Sequence, residues 1–516
     1  MRTVAGRTDR VVVVGAGLSG LAAALHLLGS GREVVLVERD SHPGGRAGRL
    51  DVEGYRMDTG PTVLTMPELL GDALAAVGES VTDRLHLTPL DPAYRARFAD
   101  GTTLDVHTDA ERMEQAVREF AGPEEALGYR RLRHWLEQLY HAQIATFIDA
   151  NFDSPLDLLG TNLARLAALG GFGRLDAAIG RFFTDERLRR VFSFQSLYAG
   201  MSPHSALAAY AVISYMDTVG GVFFPRGGMR AVPDALAAAA TEAGATVYYD
   251  TEITELERSG SRITAVHTSR QERIPCDAAV LTPDLPVSYR LLGRTPRRPG
   301  PLRAAPSAMV LHTGTTRDQS ELAHHTLSFG AAWHRTFREI MHQGRLMSDP
   351  SLLITNPTRT DPELAPPSKH LHHVLVPCPN LDRARLDWDR MGEAYAEEII
   401  GRLQDRLMPE FGSSIEVSRV VTPRDWERGG MLAGTPFSAA HSFAQTGPFR
   451  PRNLVRGIDN AVLAGCGTTP GVGVPTVLIS GKLAARRITG EARTPGRTRA
   501  ARAEREAVTG MGSSPV

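Results

Sequence analysis

The chain has 516 residues with 42% hydrophobic and 22% charged residues, a soluble globular composition that excludes a disordered chain and a polytopic membrane protein. Its 58 Lys+Arg balance 58 Asp+Glu, which removes the broad basic field that non-specific nucleic-acid binding requires. The length predicts about three domain-sized units or two large interleaved ones, and three scattered cysteines, Cys276, Cys378 and Cys466, offer no disulfide framework and point to a reducing, cytoplasmic compartment.

Val11–Val14 are four consecutive valines, which suits a strand buried on both faces of a parallel sheet. Leu18–Leu28 predicts a helix rich in Ala and Leu, and Glu33–Val37 a second strand, so a strand–helix–strand unit opens the chain. The uncharged run after Arg2, Arg7 and Arg10 superficially copies a signal peptide, but glycines at 15, 17 and 20 split it, and no convincing cleavage site follows. From Asp109 to Phe183 the pattern is helical, with Leu132, Trp135, Leu136 and Leu139 on one stripe. Thr246–Leu256 and Ile263–His267 predict strands flanking a turn at Ser259 and Gly260, and Ala278–Leu281 a short apolar strand. Leu352–Ile354 and His373–Val376 read as strands and Met391–Met408 as a helix. Ala461–Leu463 precedes a second glycine-rich turn, and a helix runs from Val474 to Ile488. No stretch reaches the ~18 to 20 apolar residues that span a bilayer. The residues after Thr494, with several Arg and small polar side chains, predict a disordered tail.

The first turn carries the chemistry. Gly15, Gly17 and Gly20 form G-x-G-x-x-G between a strand and a helix, with Glu38 eighteen residues on at the end of the next strand. That context is the dinucleotide-binding fingerprint: a tight turn, close backbone approach to a pyrophosphate, helix–strand packing, and an acidic side chain for the ribose hydroxyls. The helix N-terminus offers free N–H groups and positive potential to phosphate. In the second turn, Gly465, Gly467, Gly471 and Gly473 allow close backbone approach, and the helix beginning at Val474 can present its N-terminus to an electron-rich ring. Paired histidines, His324–His325 and His370, His372 and His373, have no ligand-spaced Cys or carboxylate partners, so no metal is expected. The chain contains neither a G-x-S-x-G elbow nor a G-x-x-x-x-G-K-[ST] loop, and no second dinucleotide fingerprint in mid-chain.

Four stretches carry a family resemblance. Glu38-Arg39 is followed by Gly44-Gly45-Arg46, then come Asp58-Thr59-Gly60-Pro61-Thr62, Phe224-Pro225-Arg226-Gly227-Gly228-Met229, and Gly465 through Pro475. These motifs resemble those of the bacterial phytoene desaturase family within the FAD-dependent amine oxidase superfamily, over about half the chain. The resemblance implies an α/β fold in which a Rossmann-type FAD-binding domain is interrupted by a mixed substrate domain and a helical, membrane-facing insertion. It implies FAD held by Gly15, Gly17, Leu18, Ser19, Gly20, Glu38, Arg39, Gly45, Arg46, Gly60, Pro61, Thr62, Ile253, Gly465, Gly467, Gly473 and Val474, with Arg46 neutralising phosphate and the backbone at Ile253 meeting the adenine.

The boundaries it implies are 1–108, 221–295 and 446–492 for the FAD-binding domain, 109–220 for the helical insertion, 296–445 for the substrate domain, and 493–516 for the tail. The implied activity is desaturation of 15-cis-phytoene toward lycopene, with a quinone or oxygen as final electron acceptor, at the inner face of the cell membrane and without spanning it. A carotenoid ketolase, an isomerase, another carotenoid desaturase, an amine oxidase or a non-catalytic lipid-escort protein are the alternatives. Asp153, Asp157 and Arg226 lie in segments that could border the substrate, but none is assigned as a general base, and the oligomeric state stays open.

Overall fold

Five short strands drawn from three widely separated parts of the chain build one parallel sheet. In the computed structural model, which describes residues 1–296 and 300–490, their order across the sheet is Ala461–Leu463, Ala278–Leu281, Arg10–Val14, Glu33–Val37 and Thr246–Tyr248. The valines explain the position of the central strand. Val11 and Val13 join the core on one face while Val12 and Val14 join the core on the other, because successive side chains point to opposite faces. The tail expected over 493–516 lies outside the described residues.

The first helix (Leu18–Gly29) and the last (Val474–Thr489) lie side by side on one face of this sheet. They approach to backbone contact, since a Cβ on Gly481 would collide with the carbonyl oxygen of Ser19. Gly20 plays the matching part beneath, where a side chain would collide with the carbonyl of Gly15.

A second, seven-stranded sheet runs Ile415–Val421, Ser307–Thr315, His370–Cys378, Leu352–Thr355, His325–Ser328, Tyr94–Arg97, Thr103–Val106. Its pairings are antiparallel except that of His325–Ser328 with Tyr94–Arg97. Tyr94–Arg97 and Thr103–Val106 fall inside the segment 1–108, expected to belong wholly with the dinucleotide sheet, yet they complete the edge of this other one. Short alternating strands announce a buried face without naming their partner, and tertiary packing chose it.

The expected strand Thr246–Leu256 is two strands. Thr246–Tyr248 joins the parallel sheet, the chain turns at Asp250 with φ 49°, and Ile253–Ser259 pairs with Arg262–Thr268 in a three-stranded sheet. The segment after Asp109 carries helices, with Ala110–Ala121, Pro123–Gln143 and Ala211–Thr218 the principal elements. The stripe Leu132, Trp135, Leu136 and Leu139 is buried, and Tyr140 stacks on Tyr215 at 4.3 Å between ring centroids. No helix of the described residues is long and apolar enough to cross a membrane.

Gly481→Ala is expected to push the first and last helices apart and cost about 2 kcal/mol, read as a lower midpoint in thermal or urea denaturation. Gly401, in the helix Trp388–Arg406 with open space around its Cα, is the control: Gly401→Ala should be neutral or stabilise by up to about 1 kcal/mol.

Candidate functional site

The carboxyl ends of four neighbouring strands of the parallel sheet open onto one cavity of about 770 Å³. Crevices at the carboxyl ends of such sheets are where ligands bind. Gly15 follows the first strand, Glu38 the second, Thr282–Asp284 the strand Ala278–Leu281, and Gly465 the strand Ala461–Leu463; all are on the cavity wall. The two glycine-rich turns, 450 residues apart in sequence, therefore face the same space.

Gly15 has φ 98°, and a side chain there would collide with the Thr282 hydroxyl. Gly17 is different: its backbone is extended, and an added Cβ meets nothing closer than the Gly44 carbonyl at 3.9 Å. A side chain at Gly17 would thus displace only what occupies the cleft. The N-termini of the first and last helices carry no side-chain cap, although Leu18, Ser19 and Val474 are buried. Buried helix starts without capping partners leave N–H donors and positive potential for a ligand. This is the arrangement that fits the pyrophosphate and the electron-rich ring of FAD.

Glu38 is buried and oriented before any ligand arrives: its carboxylate accepts from the N–H of Ala16 at 2.6 Å and of Asp40 at 3.0 Å. Burial raises its pKa while these backbone bonds oppose the rise. Arg39 is exposed at the rim and donates to the carbonyl of Gly429 at 3.2 Å. Gly44 and Gly45 lie against Gly17. Arg46, expected to neutralise phosphate, is instead ion-paired with Asp284 at 3.0 Å. That carboxylate also accepts from Leu285 and Leu432 N–H and from the Ser438 hydroxyl. Asp284 is thus a buried acceptor matched by four donors, and it fixes the guanidinium at the cavity wall.

The segment Gly60–Thr62 passes directly beside Arg46, because a side chain at Gly60 would collide with the Arg46 carbonyl. Thr62 accepts from the Thr355 hydroxyl at 3.0 Å, which ties this turn to the seven-stranded sheet. Asp58 accepts from the N–H groups of Met229 and Arg230 at 2.8 and 3.1 Å, and burial pushes its carboxyl up to about 6. The Phe224–Met229 motif is in this way joined to the Asp58–Thr62 motif by the start of the helix Ala231–Glu242.

The C-terminal turn is gripped from behind by residues that sequence reasoning missed. Arg450 is buried and donates to the carbonyls of Thr468 at 3.0 Å, Cys466 at 2.5 Å and Ala439 at 3.2 Å. His441 accepts from the Val472 N–H at 3.4 Å and shares a hydrogen bond with the Tyr210 hydroxyl at 3.0 Å. Nothing in the sequence near His441 or Arg450 signals this role. Asp284 was within reach of a rule, since it sits just past a parallel strand's carboxyl end.

Of the residues implied to hold FAD, Gly15, Gly17, Leu18, Ser19, Glu38, Arg39, Gly45, Arg46, Gly60, Pro61, Thr62, Ile253, Gly465, Gly473 and Val474 share the cavity wall. Gly20 and Gly467 are not on it: Gly20 packs helix on strand, and a side chain at Gly467 would collide with Leu285. Asp153, Asp157 and Arg226 are also off the wall. Asp153 accepts from buried Arg487 at 2.7 Å, Asp157 forms a capping box with Ser154, and Arg226 makes an exposed pair with Glu363.

Beyond the turns the cavity becomes apolar, walled by Phe147, Ile148, Leu163, Leu166, Val212 and Met216. His324, His325, His372 and His373 are packed in or beside the seven-stranded sheet, where burial holds each imidazole well below its usual range. Among the described residues no group of three or more His, Cys, Asp or Glu is placed to hold a metal ion.

Residues 18–489 match the family described as flavin containing amine oxidoreductase. The chain is 68% identical over 492 residues to a phytoene dehydrogenase of Streptomyces griseus, covering 95% of this chain and 97% of the relative. It is 35% identical to a zeta-carotene-forming phytoene desaturase of Myxococcus xanthus, covering 93% of each. Its fold is similar to that of a putrescine oxidase, with a TM-score of 0.62 at 15% identity, over 94% of this chain and 99% of the other.

Gly17→Val is compatible with the extended backbone but places two methyl groups in the cleft. Purified Gly17→Val protein is expected to carry little flavin absorbance per polypeptide. Added FAD, which should raise the wild-type melting temperature by linkage, should leave that of the variant unchanged.

Proposed function

This chain belongs to the flavin-containing amine oxidoreductases, and from that premise we propose that it is an FAD-dependent carotenoid desaturase, converting 15-cis-phytoene by successive dehydrogenations toward all-trans-lycopene. The observation that carries this reading is a cavity that passes without a break from two glycine-rich turns into an apolar arm, in a chain 68% identical to a phytoene dehydrogenase. Its cofactor is FAD.

Gly15, Gly17, Leu18 and Ser19 hold the pyrophosphate on the uncapped helix start, and Glu38 takes the ribose hydroxyls with the backbone at Ile253 beside the adenine. Arg46, Gly60–Thr62, Gly465, Gly473 and Val474 line the place of the ring. Bound FAD supplies the two-electron acceptor that removal of an allylic hydride requires. The protein supplies position and dryness. Apolar walls hold a long hydrocarbon in line with the ring's place, and they exclude water that would otherwise solvate the reacting carbons. The last helix would direct its N-terminal potential at the same end of the cavity and favour negative charge there.

The mouth of the apolar arm is itself apolar. Phe443, Phe449 and Phe172 line the cavity and are also exposed, at 59%, 43% and 46%, and Leu156 and Leu159, on either side of cavity-lining Leu158, are exposed at 71% and 68%. Exposed apolar clusters of this kind mark interaction sites. Arg165 and Arg174, also exposed, flank Phe172 in the chain. A water-insoluble polyene is loaded here from the lipid surface on which the patch rests, at the inner face of the cell membrane. Residues 109–220 form the membrane-facing insertion and 296–445 the substrate domain.

Purified holoenzyme, kept free of oxygen, should have its flavin bleached by phytoene presented in liposomes and left oxidised by primary amines. Bleaching by amines alone would replace this reading with an amine oxidase. In co-sedimentation with liposomes, the double variant Phe443→Asp, Phe449→Asp should bind at least about tenfold more weakly while retaining its flavin.

A further inference from the structure

The apolar arm contains one carboxylate. Of the Asp and Glu residues on the cavity wall, Glu38, Asp40, Glu252 and Asp284 belong to the turns around the dinucleotide end, and the fifth, Asp217, ends the apolar helix Ala211–Thr218. Its helix neighbours Val212, Ile213 and Met216 line the arm with it. Asp217 is 3% exposed. Its Oδ2 accepts from the Tyr94 hydroxyl at 2.9 Å, and among the described residues no Lys, Arg or His is paired with it.

An isolated acid in a hydrocarbon channel is costly to keep. Burying a carboxylate without a cation or a set of N–H donors costs several kcal/mol, and a packed apolar residue would be cheaper if the channel only had to hold a hydrocarbon. Two phenols surround the group: Tyr94, at 1% exposure, donates to it, and the Tyr198 hydroxyl is buried at the cavity wall beside Tyr94. Other polar groups of the arm are engaged. His441 has one ring nitrogen on Tyr210 and the other on the Val472 N–H, and burial lowers its pKa well below the usual imidazole range.

Resting on the desaturase reading, we propose that the Asp217 carboxylate is the proton acceptor of the reaction, held in place by the Tyr94 hydroxyl. Making a double bond from a CH2–CH2 unit removes two hydrogens. One carbon gives up hydride, whose two electrons go to oxidised FAD. The neighbouring carbon, made acidic by that loss, gives up a proton to Asp217 Oδ, and the electron pair of its broken C–H bond becomes the second bond of the new C=C. Tyr94 stabilises the carboxylate before transfer, and the resulting carboxylic acid is neutral, as an apolar channel requires. Burial pushes the Asp217 carboxyl up to about 7, against the hydrogen bond from Tyr94. Proton transfer is most effective where the acceptor's pKa lies near the working pH.

The sign of the pH dependence follows. Asp217 accepts only when deprotonated, so the rate of phytoene-driven flavin reduction rises with pH through about 7 and then levels. Removing the Tyr94 hydroxyl destabilises the carboxylate and moves that limb to higher pH. In full-length holoenzyme on liposomes without oxygen, Asp217→Asn should retain FAD and slow flavin reduction by ~10²-fold or more, without the neutral limb. Asp217→Glu should recover part of the rate.

Infrared spectroscopy gives a reading independent of turnover: a protonated-carboxyl band titrating near neutral pH in the wild type and missing in Asp217→Asn. Flavin reduction in Asp217→Asn at the wild-type rate, or with the wild-type limb, would overturn the proposal. Should that variant fail to fold, Tyr94→Phe decides, since an unmoved limb is equally fatal. Wild-type flavin untouched by phytoene would remove the desaturase reading and this proposal together, an outcome distinct from an active wild type with an indifferent Asp217.

Discussion

The carbonyl of Ser19 lies so close to the Cα of Gly481 that no side chain fits between the first helix and the last, and much of the site's construction follows from this contact. Two helices touching backbone to backbone bring their N-termini to the same edge of the parallel sheet. Each start is buried and uncapped, so the N–H groups and the fields of both converge on one cleft. A bulkier residue at Gly481 would spread the helices and separate the two half-sites.

Charges are spent on holding backbone in place. Arg46 is neutralised by Asp284, and Arg450 is satisfied by the carbonyls of the second glycine-rich turn. Asp58 takes the N–H groups where the helix Ala231–Glu242 begins. Asp284 and Arg450 are buried polar groups with several good partners, the condition under which burial stabilises a conformation instead of penalising it. The cleft is therefore preorganised, and a bound dinucleotide meets fixed donors without first having to order the loops around it.

The opposite end of the cavity follows the contrary rule. It is walled largely by Leu, Ile, Val, Met and Phe and opens through exposed phenylalanines. Within such a wall a single acid stands out. Tyr94, which holds Asp217, comes from a strand of the seven-stranded sheet, while Asp217 comes from the helical segment. The seven-stranded sheet and the helical segment therefore meet at this acid.

Much of this was open to reading in the linear chain, and the parts that were not share a cause. The valines at 11–14, the spacing of Gly15, Gly17 and Gly20, Glu38 at the end of the next strand and the glycines from 465 to 473 each encode a local conformation through sterics and periodicity, so they announce a dinucleotide site without reference to the rest of the fold. The motifs also named the family. Tertiary structure alone decided that Arg46 would pair with Asp284, that Tyr94–Val106 would leave the first segment for the second sheet, that Gly467 would face Leu285, and that Tyr94 would reach Asp217 across 123 residues. Those are contacts between distant segments, set by which surfaces pack together, and no local pattern carries that information.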